Sequence, residues 1–150
     1  MKASIIWFIM IASHVKVISA GAYCDDGWIA YSSHCYYIGF VERSFMEAHN
    51  FCDSRGAYLV RIESSGENSF LTNLLRNLRV SDTWTGLSDM RSEGSYRWFH
   101  SNNYPSYTNW GRGEPNNDGN EDCVGFWSRI NYYWNDFQCR HELRPLCEKS

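Results

Sequence analysis

Six cysteines, Cys24, Cys35, Cys52, Cys123, Cys139 and Cys147, constrain this chain more than any other feature. An even number in an oxidising compartment pairs into disulfides, and three cross-links in a short chain favour a small, loop-rich fold. The compartment is set by the residues ahead of them. Met1-Lys2 gives a positive start, Ile5 to Ala12 an apolar run, and Ala20-Gly21-Ala22 a small-residue cleavage site. That is the pattern of a signal peptide. The expected organisation is a leader at residues 1–22 and one domain at residues 23–150, secreted and extracellular. The apolar run is too short for ~30 Å of hydrocarbon, and His14 and Lys16 interrupt its continuation, so no membrane insertion is expected. No C-x-x-C or H-x-x-x-H spacing occurs, which speaks against zinc. Spacing alone does not choose among the pairings open to six cysteines.

Charge narrows the partners. Loss of the leader takes Lys+Arg from 14 to 12 against 17 Asp+Glu, and the formal net charge from −3 to −5. Nucleic acids and anionic membrane surfaces call for basic patches, so neither is expected. A cation site is compatible with this balance. No N-x-S/T sequon is present, and N-glycosylation is not expected.

Local pattern divides the domain in two. Cys35 to Val41 is aromatic and β-branched and reads as a strand. Ser44-Phe45-Met46-Glu47 is a capping-box start, with Gly56 as the stop. The helix between them turns Phe45, Ala48 and Phe51-Cys52 inward. Leu59 to Ile62 reads as a short strand, and Ser64-Ser65-Gly66-Glu67 as a second capping box. Phe70, Leu71, Leu74, Leu75 and Leu78 come next at helical spacing, as core. Past Val80 only short strands are expected, at Thr83 to Leu87, Tyr96 to Phe99, Gly125 to Trp127 and Leu146 to Glu148. Asn102 to Glu121 is a long loop, a length that is usually functional when ordered, and Tyr104, Tyr107 and Trp110 argue for order.

The chemistry concentrates around that loop. Glu114-Pro115-Asn116 is followed by Glu121 just ahead of Cys123, and Asn135-Asp136 stands between Trp134 and Cys139. Carboxylates and amide carbonyls are hard oxygen ligands of the kind calcium gathers, in irregular geometry if need be. Each residue alone reads as an ordinary turn former; together, beside two cysteines, they read as a calcium set. Asp118-Gly119-Asn120-Glu121-Asp122 lacks the alternation of an EF-hand loop.

Four motifs in order carry a resemblance. Trp84-Thr85-Gly86-Leu87, Glu114-Pro115-Asn116, Trp134-Asn135-Asp136 and the placement of all six cysteines resemble the long form of the C-type lectin-like domain over nearly all of Tyr23 to Ser150. Among its members the chain looks most like the perlucin-type lectins of molluscs. The resemblance implies an α+β fold with two helices, two small antiparallel sheets and a long loop carrying the site. It implies the pairs Cys24–Cys35, Cys52–Cys147 and Cys123–Cys139 and a cis peptide before Pro115. It implies Ca²⁺ held by Glu114, Asn116, Glu121, Asn135 and Asp136, the same residues contacting the sugar. An auxiliary Ca²⁺ matches Asp89, Glu93, Asn117, Glu121 and Asp122, where Asn117 stands in place of an acid found in some members.

The mixture of acids and amides has a chemical reason. A carboxylate only accepts and an amide NH₂ only donates, so a sugar hydroxyl between a Glu and an Asn satisfies both. In the family, E-P-N goes with mannose-type sugars and Q-P-D with galactose, so mannose, N-acetylglucosamine, glucose or fucose is expected. Tyr132 and Tyr133 stand where an aromatic face could pack on a sugar ring, whereas Trp84, Trp98 and Trp134 read as core. A single exposed contact is weak, and avidity calls for clustering of several domains. Glu114 with Glu121, or Asp118 with Asp122, could be pictured as a glycosidase pair, but these acids are already engaged. His34, His49, His100 and His141 are scattered, so no enzyme is expected. The rival reading is a mineral-associated or protein-binding module on the same fold. Recognition of microbial glycans in innate immunity is the role favoured.

Overall fold

The computed structural model describes residues 23–150, and the expected leader at 1–22 lies outside the described residues. The elements in order are β1 (Ile29–Tyr31), β2 (His34–Ile38), α1 (Phe45–Asp53), β3 (Tyr58–Leu59), α2 (Ser65–Asn77), β4 (Thr83–Ser88), β5 (Arg97–Trp98), β6 (Cys123–Trp127), a 3-10 turn (Ser128–Ile130), β7 (Tyr133–Phe137) and β8 (Arg144–Lys149). Strands β1, β2, β8 and β3 make one antiparallel set, and β5, β4, β6 and β7 the other. One parallel pairing, Thr83↔Arg144 and Trp84↔Pro145, joins them into the order β1-β2-β8-β4-β6-β7.

Both helices begin where the capping signals stand. The Glu47 carboxylate accepts from the Ser44 backbone N–H at 3.0 Å and from its hydroxyl at 2.6 Å. Such contacts replace helical partners that the first turn lacks. Phe45, Ala48 and Cys52 form the buried face of α1, and Cys52–Cys147 ties that face to β8. In α2 the Ser64 hydroxyl accepts from the Glu67 N–H at 3.2 Å. The Glu67 carboxylate reaches past Ser64 to the Glu63 N–H at 2.9 Å and also accepts from the Tyr36 hydroxyl at 2.7 Å. Leu71 and Leu75 are fully buried, but Leu78, expected on the same stripe, caps the helix and is 57% exposed.

Trp84, Trp98 and Trp134, expected in the core, are buried. Each of the two deepest indoles finds an acceptor, Trp84 Nε1 the Arg43 carbonyl at 2.8 Å and Trp134 Nε1 the Asn68 side chain at 3.0 Å. A buried indole N–H without one would be costly. The glycine of Trp84-Thr85-Gly86-Leu87 is required by close approach, since a Cβ there would lie 2.6 Å from the Leu59 carbonyl oxygen. The three disulfides are Cys24–Cys35, Cys52–Cys147 and Cys123–Cys139, the pairs that the resemblance implies.

Candidate functional site

The site is built on β7, a strand absent from those expected past Val80. Asn135 and Asp136 lie within β7, in register with Gly125 and Val124 of β6. Both are buried, at 6% and 0% exposure. Cys123–Cys139 closes the hairpin at its far end and holds Glu121, just ahead of β6, beside β7. The long loop is stitched to the same strand. Trp134 donates its N–H to the Asn109 carbonyl at 2.9 Å, and Gly111 donates to the Trp134 carbonyl at 2.8 Å. That pairing brings Glu114-Pro115-Asn116 to β7, and the Glu114–Pro115 peptide is cis.

Asp136 is the hub. Its carboxylate accepts from the Asn116 N–H at 3.2 Å, the Asn117 N–H at 2.7 Å and the Tyr96 hydroxyl at 3.4 Å. Around it, Asn116 Nδ2 donates to Glu114 Oε1 at 3.1 Å, and the Glu121 N–H donates to Asn117 Oδ1 at 2.7 Å. Asn135 Nδ2 donates to the Asp136 carbonyl. The loop is thus pinned by one carboxylate before any ligand is considered. Tyr96 and the two backbone N–H groups were missed by reading motifs, because nothing in the sequence marks a tyrosine far upstream or a main-chain donor.

Electrostatics report crowding. Burial, and then the carboxylates of Asp136, Asp118 and Glu114, push Glu121 up to about 7. Burial and contact with Asp136 raise Glu114 in the same direction. Glu114 Oε2 is buried with no hydrogen-bond partner. Buried charges in proteins are normally paired or bound to a metal, so this donor set fits a hard divalent cation.

A second acid cluster is tighter. Carboxylate oxygens of Asp89, Glu93 and Asp122 lie within 4.8 Å of one another, the one such group among the described residues. Asp89 is 2% exposed, and its Oδ1 has no partner while Oδ2 accepts from the Gly94 N–H at 2.7 Å. Burial raises its carboxyl, with Glu93 and Asp122 adding to the effect. Of the five residues expected at the auxiliary position, these three converge. Glu121 is outside the cluster, and Asn117 has its side-chain oxygen on the Glu121 N–H.

The tyrosine pair divides as its positions require. Tyr132 is buried, and its hydroxyl donates to the Val80 carbonyl at 2.6 Å. Tyr133 is 44% exposed at the start of β7. Among the described residues no helix is long and apolar enough to cross a membrane.

Known proteins share this fold. The Lectin C-type domain family matches residues 41–149. A perlucin-like protein of Mytilus galloprovincialis is 37% identical over 134 residues, covering 88% of this chain and 85% of that protein. C-type mannose receptor 2 of Mus musculus is 33% identical over 129 residues, covering 85% of this chain but 8% of that much longer protein. The cow C-type carbohydrate-recognition domain of CD23, solved in the presence of a GlcNAc2Man3 oligosaccharide, superposes with a TM-score of 0.77 at 32% identity, covering 85% of this chain and 96% of that one. Sequence match, superposition and the cysteine pairs agree across most of the described residues: the chain belongs to the C-type lectin domain family, a family of non-enzymatic carbohydrate-binding domains.

Proposed function

We propose that this chain is a secreted lectin that grips mannose-type sugars through Ca²⁺ held by Glu114, Asn116, Glu121, Asn135 and Asp136. The observation that carries the proposal is the set of crowded acids around Asp136, with the partnerless Glu114 oxygen and Glu121 pushed up to about 7. Acids so arranged are strained without a cation and relieved by one. The family typically binds calcium, and the oligosaccharide beside the cow CD23 domain supports a mannose-containing ligand. A second ion fits Asp89, Glu93 and Asp122, with Asn117 and Glu121 as the other expected ligands, and orders the loop. Secretion rests on the leader pattern and on three disulfides.

Calcium supplies open positions for two neighbouring sugar hydroxyls. The protein does the rest. Glu114 and Glu121 accept hydrogen bonds from those hydroxyls, and the amide groups of Asn116 and Asn135 donate to them. Asp136, held at full burial, keeps the loop and β7 in register.

The test is a glycan array carrying mannans and other microbial glycans, with galactosides beside them, run in calcium and again in EDTA. Mannose-type spots are expected to bind in calcium and to fall to background in EDTA. Retention that survives EDTA would favour a protein- or mineral-binding module; retention on galactosides alone would overturn the specificity.

Melting adds a second check. Glu121 holds its proton more tightly folded than unfolded, about 7 against an ordinary 4.5. The metal-free fold therefore has this contribution in full below pH 4.5 and loses it as pH rises through 7. Metal-free protein should melt at a lower temperature at pH 8 than at pH 5, and calcium should raise the melting temperature far more at pH 8. Equal calcium shifts at the two pH values would count against these carboxylates as ligands.

A further inference from the structure

Beside Glu114 lies an open hollow of about 490 Å³, walled by Trp110, Arg112, Trp127, Ile130 and Tyr133, with Glu114 itself on its lining. The walls come from four places, the long loop, the end of β6, the 3-10 turn after it and the start of β7. They are preformed. Trp110 is wedged edge-on against Tyr96 and Trp134, at ring distances of 5.0 and 6.0 Å, and Trp127 against Phe137 at 6.3 Å.

Backbone geometry turns Tyr133 toward the solvent side. Asn131 and Tyr132 both adopt left-handed conformations, each with φ of 61°. That conformation is uncommon for a bulky residue and costs free energy. It is offset by the inward Tyr132, whose hydroxyl bonds the Val80 carbonyl, and it leaves its neighbour outward. Arg112 completes the rim. It is exposed and makes no ion pair or hydrogen bond among the described residues. A guanidinium in that position is available to stack on an aromatic plane.

We propose that this hollow is an aglycone subsite that takes an aryl group attached to the sugar held at Glu114. The inference rests on the sugar site proposed above, with which the hollow is continuous through Glu114. The lining decides between an aryl group and a second sugar ring. Two tryptophans, an isoleucine and a tyrosine dominate it and leave Arg112 and Glu114 as the side-chain partners for the several hydroxyls of a pyranose, whereas an aromatic ring asks for none and stacks on the Arg112 guanidinium. Aromatic pairs add to area burial by an amount that corresponds to about three- to tenfold in affinity.

Calorimetry in calcium with p-nitrophenyl α-mannoside, methyl α-mannoside and α-mannobiose tests it. The aryl glycoside should bind about three- to tenfold tighter than the methyl glycoside, and EDTA should abolish both. Tyr133→Ser, at an exposed aromatic wall outside the calcium set, should erase that preference while calcium-dependent binding of methyl α-mannoside persists. Ile130→Ser should reduce the preference and leave methyl α-mannoside within twofold. Equal affinity for the aryl and methyl glycosides overturns the proposal, as does a gain for mannobiose that matches the aryl gain. If no mannoside binds, the mannose-type reading is what falls, and the subsite falls with it.

Discussion

Asp136→Ala should lower affinity for a mannose-type ligand by at least about a hundredfold and loosen the long loop in the same step. The carboxylate is fully buried and is the acceptor for the Asn116 and Asn117 N–H groups and the Tyr96 hydroxyl. Truncation leaves these donors without their partner, at about 1–3 kcal/mol for each one that stays dry. It also removes one negative charge from the calcium set. Asp136→Asn separates the two losses. The amide oxygen can still accept from the Asn117 N–H and the Tyr96 hydroxyl, while the amide nitrogen replaces the acceptor of the Asn116 N–H; removing the charge also relieves Glu121, which Asp136 helps to push up to about 7. The asparagine variant should therefore lose less of the metal-free melting temperature than the alanine variant, and lose calcium-dependent retention on mannan. The alanine variant should lose both, with faster amide exchange at residues 116–117. Full affinity in Asp136→Ala would remove Asp136 from the site.

The second large effect is on the fold. Removing Cys52–Cys147 with a double alanine substitution should cost about 4–5 kcal/mol, since this link closes 95 residues and both cysteines are fully buried. The same loop-entropy reasoning gives about 3 kcal/mol for Cys24–Cys35, which closes 11 residues. Against a typical total of roughly 5–15 kcal/mol, the first loss leaves the domain marginal and the second leaves it folded. Urea titration of the two double mutants measures the difference. An equal or larger loss for the Cys24–Cys35 pair would rule out loop length as the cause.

How much of the molecule is legible in its sequence depends on where each signal resides. The helices were legible because a capping serine and a buried stripe are local, as at Ser44 with Phe45, Ala48 and Cys52. Leu78 broke its stripe because the helix ends at Asn77 and the leucine falls past the last turn. The first strand, Ile29–Tyr31, is short and was not separable from its turn. β7 was hidden for another reason. Adjacent Asn and Asp are poor strand formers, and only a partner strand on one side and the long loop on the other make Tyr133–Phe137 extended. The ligand-bearing residues were legible through their motifs, but their wiring was not. That Asp136 binds the loop backbone, and that Asp89, Glu93 and Asp122 form the tighter acid cluster, depend on contacts between residues far apart in the chain.

The strand order β1-β2-β8-β4-β6-β7 has a practical consequence for display. The described residues start at Tyr23, before β1, and finish at Ser150, after β8, with Lys149 paired to Cys35 and its amine 2.5 Å from Asp25. The described residues thus begin and end close together, beside β2, while β7, which carries Asn135 and Asp136, lies at the far edge of the sheet order. A biotin, a surface tether or a multimerising tag joined beside Tyr23 or Ser150 would sit away from β7, so that a planted array of copies presents the proposed sugar site outward.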